Sequence, residues 1–428
     1  MYNRTHPRIY AVTILFRQFS LLCKSRIWAR SPSREASFST CPVARQASSH
    51  HLRSCSFRAQ HYFRAESASQ KRLSLRGDVL TQARISSQYG TSTSGTLEST
   101  DEPAERPHYN RRLVLVDAHA LLYRSHFGFS GQRLANASGE DTSISYGFLN
   151  TVLRLLEIQQ PPTHFAVVMD HHGKTFRHEL YSDYKAQRPP MPDAMKLAIP
   201  KIQVLLEILG IPVIRVAGVE ADDVIGTVAR RASDDGFLVA IASPDKDFFQ
   251  MLRPGLQLLR PPKKDARDGP GVVAGFVAYN SDAFREEFGI EPWQWTHVLG
   301  LMGDSSDNVP GVKGVGPKGA LALVQQYGTI DGVLEHAAEV KRKSQREQLQ
   351  SIEGMQQARL SHKLVTIQSD VDLPPVRVPW ESLELKAPKE ENLEAIEKAL
   401  GDLEFRQHSQ RFTKIWAAMK AAASTKAQ

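Results

Sequence analysis

The sequence predicts an α/β fold with a mostly parallel central sheet and helices on both faces. Three observations predict it. Short apolar runs alternate with segments of helical period, the pattern of strand–helix–strand units. Four of those runs end in, or just before, carboxylates: Asp117, Asp170, the cluster Glu220, Asp222 and Asp223, and Asp245 with Asp247. With 41% hydrophobic residues among 428, the chain can bury the cores of two or three domains.

The first run, Arg111-Arg112-Leu113-Val114-Leu115-Val116-Asp117, reads as a buried parallel strand with a carboxylate at its C-terminal end. Ser145 to Glu157 has helical period and stops before Pro161-Pro162. His164 to Asp170 repeats the strand-to-Asp pattern. Ala198 to Leu209 is a helix closed by Gly210, and Val213 to Val216 is a short third strand. Phe237 to Ala242 is the fourth, leading into Ser243-Pro244-Asp245-Lys246-Asp247. Gln257 to Asn280, with Pro261-Pro262-Lys263-Lys264 and several glycines, reads as an exposed loop. Trp293 to Met302 is helical, and so is the charged chain beyond Leu334. Ser369 to Val378 reads as extended. Asn392 to Gln428 has helical period and no identifiable chemistry.

Parallel strand ends share one edge of a sheet, and ligands collect there. A single Asp in this setting is explained by helix capping; four strand ends that agree point to a shared site. Crowded carboxylates raise one another's pKa unless a cation lies between them. A hard divalent ion with oxygen ligands answers that need. Glu220 and Asp223, three apart, share a helical face, while Asp222 is turned by about 100°. Asp304 and Asp307 are also three apart and share a face if helical.

Two further stretches suit nucleic acid. Between Gly173 and Met195, Lys174, Arg177, Lys185 and Arg188 are interleaved with Phe176, Tyr181 and Tyr184. Cations for phosphates and aromatics for bases fit a single strand; a solvated surface helix with packed aromatics has the same composition. Gly311-Val312-Lys313-Gly314-Val315-Gly316-Pro317-Lys318 then runs into an apolar helix ending at Tyr327. Its glycines allow backbone N–H groups near a phosphate at a helix N-terminus, and Pro317 suits the first turn. An ordinary connection between core helices is the plain alternative.

Charge is unevenly spread. Residues 1–65 carry ten Arg, one Lys and one acid, Glu35, a formal +10; residues 106–428 are formally neutral. Acid-poor, Arg- and Ser-rich composition is that of an organellar transit peptide, and 66–108 reads as a disordered linker. All three cysteines (Cys23, Cys41, Cys55) lie in the leader, so the predicted mature chain has neither disulfides nor thiolate metal sites. No run is apolar enough to span a membrane.

These residues resemble the 5′-nuclease family, most closely the 5′→3′ exonuclease domain of bacterial family A DNA polymerases. The segments that carry the resemblance are Gly173 to Arg177, Tyr184 to Pro192, Gly218 to Gly226, Asp245-Lys246-Asp247 and Leu301 to Gly316. The likeness runs from about Arg111 to Pro374. With its leader and no polymerase segment following, the chain looks like the stand-alone organellar exonucleases of plants and algae.

The resemblance implies a PIN/resolvase-like catalytic domain over 109–280 with a helical arch over 174–195. A helix-three-turn-helix DNA-binding domain over 281–378 and a helical extension over 379–428 would follow. It implies that Asp117, Asp170, Glu220, Asp222, Asp223, Asp245, Asp247, Asp304 and Asp307 hold two or more Mg²⁺ or Mn²⁺ ions, the first four nearest the cutting ion. Lys174, Arg177 and Lys185 would neutralise transition-state charge. Phe176, Tyr184, Arg188 and, in the glycine-rich hairpin, Lys313, Gly314, Gly316 and Lys318 would contact DNA, with K⁺ on the hairpin carbonyls.

The implied activity is a 5′→3′ exonuclease with 5′-flap endonuclease action. Its partners would be DNA with 5′ single-stranded flaps or ends, and RNA–DNA hybrids. It would work as a monomer, without membrane association, removing primers or flaps in mitochondrial or chloroplast replication and repair. A catalytically silent structure-specific DNA-binding protein and an organellar ribonuclease are the alternatives. Two departures stand out: Ala118-His119 replaces the family's Gly after the first Asp, and Ser243-Pro244 replaces Thr-Gly before Asp245.

Overall fold

The computed structural model describes residues 111–129, 131, 133–171, 173–262, 272–273, 275–372 and 379–426. The transit peptide, the linker and the three cysteines lie outside the described residues, as do 263–271 and the extended reading of 373–378.

The chain opens with β1 (Arg112–Asp117), whose residues alternate between two cores. Leu113 and Leu115 join one, Val114 and Val116 the other, as side chains of a strand buried on both faces must. Helices α1 (Ala118–Gly128) and α2 (Ser143–Leu156) cross over to β2 (His164–Met169), which pairs parallel to β1. A short α3 (Phe176–Leu180) and α4 (Asp193–Ile208) lead to β3 (Val213–Arg215), parallel to β2. Helix α5 (Ala221–Asp234) then carries the chain back to β4 (Leu238–Ala242), on the other side of β1. The buried face of α5 is Val224, Ile225, Val228, Ala229 and Ala232, a 3.6-period stripe against the sheet.

The full order is β3-β2-β1-β4-β5-β7-β6. The chain reverses direction of growth between β1 and β4, and such a switch point opens a crevice at the C-terminal strand edge. Beyond β4, β5 (Leu256–Arg260) is parallel, while β6 (Val272–Val273) and β7 (Phe276–Tyr279) form an antiparallel edge. This corrects the loop expected over Gln257 to Asn280. Leu256, Gln257 and Leu258 alternate buried, exposed, buried, a strand signal that the neighbouring prolines and glycines obscured.

The rest is helical: α6 (Ser281–Phe288), α7 (Trp295–Met302), α8 (Pro317–Tyr327), α9 (Ile330–Glu335), α10 (Lys343–Gln350), α11 (Ile352–Val365), α12 (Glu390–Asp402) and α13 (Arg406–Lys426). One core runs from the α5 face of the sheet into α7, α8 and α11. A Cβ on Gly226 of α5 would stand 2.5 Å from Ile367 Cγ2, so the missing side chain is what lets the end of α11 lie against α5.

Candidate active site

Asp117 ends β1 and caps α1, accepting from Ala120 N–H at 3.2 Å. Ser243 at the end of β4 donates its hydroxyl to Asp117 Oδ2 at 2.7 Å and accepts from Asp245 N–H at 3.1 Å. One buried hydroxyl thus ties the ends of the two strands that flank the crevice. Asp170, after β2, accepts from Ala221 N–H at 2.8 Å, a negative charge at the N-terminus of α5. Its own N–H donates to His119 Nδ1 at 3.2 Å.

The aspartates fall into two lobes joined at Asp245. In one lobe, burial first, then Asp117 and Asp245, push the Asp222 carboxyl well above its ordinary range. Burial first, then Asp170 and Asp245, push Asp117 up to about 7, against its bonds to Ser243 and Ala120. In the other lobe, burial first, then Asp245 and Asp304, raise Asp247. Burial, Asp307 and Asp304 raise Asp245 itself. Asp222, Asp245, Asp247, Asp304, Asp307 and Glu220 line a cavity of about 50 Å³.

The donor set fits a hard divalent ion. Six carboxylates line the cavity, Lys185 and Lys246 offset the repulsion among Asp222, Asp245 and Asp247 only in part, and Asp247 Oδ1 is buried without a hydrogen-bond partner. Among the described residues, no group of three or more His, Cys, Asp or Glu side chains is gathered tightly enough to hold an ion by itself. The aspartates line a well and do not close a cage.

Three of the expected roles are corrected here. Asp223 does not face the lobes. It holds the Arg177 guanidinium through Nη1–Oδ2 at 2.7 Å and Nη2–Oδ1 at 2.9 Å, and it accepts Gln368 N–H at 2.8 Å. Arg177 is correspondingly not available to a phosphate. Its remaining donors go to Leu364 O at 2.8 Å and Thr366 O at 2.9 Å, and Glu220 lies 3.4 Å from Nη1. Tyr184 cannot stack on a base: it is 4% exposed, its hydroxyl 3.2 Å from Glu220 Oε2 and 3.1 Å from Asp307 Oδ2. Glu220 does line the well, but both its oxygens are engaged, Oε1 by Thr175 at 3.0 Å and Oε2 by Lys185 at 2.9 Å. Burial would raise its carboxyl; Lys185 and Arg177 outweigh that and hold it below the usual range.

The stretch expected as an arch over 174–195 is folded down onto the site. Lys185 N–H donates to Asp307 O at 2.9 Å, and Lys185 Nζ sits between Glu220 Oε2 and Asp307 Oδ2, at 2.9 and 3.7 Å. Arg188, half exposed, pairs with Asp307 Oδ1 through both Nε and Nη2. Lys174 is exposed and stands apart from these contacts. Phe176 lies with its ring 4.5 Å beneath the Arg177 guanidinium.

Asp304 and Asp307 are not on a helix. They sit on a loop pinched by paired bonds, Asp304 N–H to Val309 O at 3.0 Å and Val309 N–H to Asp304 O at 2.7 Å. Gly303 and Gly311 close its neck with φ of +71° and +62°, and a Cβ on Gly303 would lie 2.5 Å from Val309 O.

Comparison with known proteins shows the family. The family model for the 5′-3′ exonuclease N-terminal resolvase-like domain matches residues 112–289, and that for the 5′-3′ exonuclease C-terminal SAM fold matches 290–391. A 5′-3′ exonuclease of Aquifex aeolicus is 33% identical over 306 residues, which cover 72% of this chain and 96% of that protein. The chain belongs to the 5′-3′ exonuclease family. DNA polymerase I of Bacillus subtilis is 36% identical over 291 residues, 68% of this chain and 31% of the polymerase, so the match spans about a third of that relative. The T5 5′-exonuclease, solved with divalent zinc ions bound, aligns at a TM-score of 0.48 and 18% identity, over 72% of this chain and all of its own.

Both departures carry polar contacts in the site. His119 Nδ1 accepts the Asp170 N–H, and Ser243 supplies the hydroxyl that ties Asp117 to Asp245. In the hairpin, Lys313, Gly314, Gly316 and Lys318 are all exposed. Gly316 precedes α8, Pro317 is its first residue, and Gly314 adopts φ +83° while its carbonyl accepts Gln345 Nε2 at 2.9 Å. The sequence reading gave no role to Thr175, Ser243, Gln187, Asn308 or Gln368. Only Ser243 had a signal, a hydroxyl residue immediately before the Asp-Lys-Asp run.

Proposed function

We propose that this exonuclease-family chain is a metal-dependent 5′→3′ exonuclease with 5′-flap endonuclease activity on DNA, working with Mg²⁺ or Mn²⁺. The observation that supports it is the pair of aspartate lobes sharing Asp245 at the strand edge, with the Lys185 ammonium beside them. Asp117, Asp170, Asp222 and Asp245 would hold one ion, and Asp245, Asp247, Asp304 and Asp307 another. Such ions polarise the attacking water and stabilise the departing oxygen of a phosphodiester.

The chain's own groups do the rest. Ser243 and Ala221 N–H orient Asp117 and Asp170 toward the crevice. Glu220 and Asp307 hold the Lys185 ammonium at the well, where a preorganised cation stabilises charge growing on a phosphoryl oxygen. Arg188, half exposed, offers guanidinium donors to the flanking phosphate. Lys313, Lys318 and the N-terminus of α8 suit duplex phosphates. K⁺ on the hairpin carbonyls is a further ion compatible with this reading.

The basic, acid-poor residues 1–65 support placement in a mitochondrion or chloroplast, where removal of RNA primers and flaps in replication and repair would be the role. The deciding experiment is cleavage mapping on one end-labelled 5′ flap with and without Mg²⁺. Mg²⁺-dependent cuts at the flap base and stepwise from the 5′ end are expected. Binding without any cut would leave a structure-specific DNA-binding protein. Faster cutting of RNA-only 5′ ends than of DNA would leave a ribonuclease.

A further inference from the structure

We propose that Asn308 is a positioning residue for this reaction, acting through Lys185; the inference rests on the nuclease reading above. Among the described residues, only Lys185, Asn308 and Glu404 have positive φ without being glycine, at 57°, 58° and 59°. For a residue with a Cβ that conformation costs on the order of 1–2 kcal/mol, and Asn tolerates it better than most. Asn308 follows Asp307, whose carbonyl accepts the Lys185 N–H.

The Asn308 carboxamide grips the chain on both sides of Lys185. Its Nδ2 donates to Asp183 O at 2.7 Å. Its Oδ1 accepts from Gln187 Nε2 at 3.1 Å, which also lies 3.0 Å from Ser305 O. A carbonyl can only accept, so the contact with Asp183 O sets which way the Asn308 amide points. Between these two grips, Lys185 N–H donates to Asp307 O at 2.9 Å. The turn is thereby fixed two residues before Lys185, at Lys185, and two residues after it. The twisted backbone that results aims the ammonium at Glu220 Oε2 and Asp307 Oδ2. Asn308 itself bonds no carboxylate of the well, so its influence on the chemistry passes through Lys185.

The test uses the full chain and Asn308→Gly, which keeps the left-handed backbone and deletes the carboxamide. With Mg²⁺ and a 5′ flap, kcat is expected to fall about 10–100-fold, the usual range for a lost orienting partner. KM, flap affinity in EDTA and Tm stay close to wild type. In a Lys185→Ala background the same change should cost nothing further, the non-additivity of two residues acting as one unit. Gln187→Ala should lower kcat in the same direction by less. If Asn308→Gly fails to fold, Asn308→Asp replaces the Nδ2 donor by a charged acceptor that the Asp183 carbonyl repels, and must lower kcat at least about tenfold. Wild-type kcat in a folded variant, or a loss that multiplies in full onto Lys185→Ala, would overturn the proposal. A wild-type chain that cuts no flap sinks the nuclease reading instead, a separate outcome.

Discussion

Arg177 and Asp223 form a bidentate ion pair with side chains only 3% and 1% exposed. Arg177 also ties α3 to the carbonyls that close α11, at Leu364 and Thr366. The pair therefore joins the catalytic sheet to the helical part of the molecule. Removing Asp223 leaves the buried Arg177 with only the longer 3.4 Å contact to Glu220, a cost of up to about 3–5 kcal/mol. Asp223→Ala should lower unfolding free energy by that amount, measured by urea denaturation, and lose activity only as the fold is lost.

Asp222 should behave in the opposite way. Burial and its neighbours Asp117 and Asp245 hold its carboxyl under repulsion. Asp222→Ala is expected to abolish flap cleavage in Mg²⁺, to leave flap binding in EDTA unchanged or tighter, and to leave Tm unchanged or higher. Gel shift, cleavage and melting curves on one preparation check all three.

Ser243 bridges the two lobes without facing the substrate. Ser243→Ala should reduce apparent Mg²⁺ affinity or rate by about 10–100-fold, the usual cost of losing a partner that orients a ligand. Ser243→Thr keeps the hydroxyl and should retain most activity. A Mg²⁺ titration of initial rates distinguishes the two variants.

The aspartate lobes also set a pH dependence. Asp117 is raised from 3.8 to about 7, and Asp222, Asp245 and Asp247 shift in the same direction. From about pH 4 to pH 7 the unfolded chain has therefore released the Asp117 proton while the native chain still holds it, and the other three aspartates act in the same direction. Their contribution to stability is present at low pH and lost as pH rises through that window. Glu220, held below its usual range, works oppositely and loses its contribution as pH falls. Melting in EDTA should show the aspartate effect as falling stability towards pH 8. Mg²⁺ should restore more at pH 8 than at pH 5; where it stands at a hundredfold excess over Kd, one bound ion adds about 2.7 kcal/mol.

The hairpin lysines can be tested by salt. Lys313→Ala and Lys318→Ala should each weaken duplex binding and reduce the slope of log K against log salt by about one, if each meets one phosphate. Single-turnover cutting of prebound flap should change little. Fluorescence anisotropy from 50 to 200 mM salt is the measurement.

The sequence by itself determined the four parallel strands β1 to β4, their crossovers and the edge where carboxylates gather. Those features repeat with local periods of two and 3.6 residues; Asp117 and Asp170 follow directly on an apolar run, and Asp245 follows one after Ser243-Pro244. The helical face expected for Glu220 and Asp223 is corrected: Glu220 is the extended N-cap of α5, with ψ 149°, and only Asp223 lies within the helix. What these side chains meet was not legible. Arg177 lies 46 residues before Asp223, and Asp183 lies 125 before Asn308, so neither contact leaves a mark on local spacing. The same limit hid the loop that carries Asp304 and Asp307, since two residues three apart read as helical until glycines on either side are seen to pinch the chain. Only the tertiary structure decided which carboxylates confront one another and which are neutralised by a cation. Coulombic interaction depends on distance in space and on burial, and neither quantity is written along the chain.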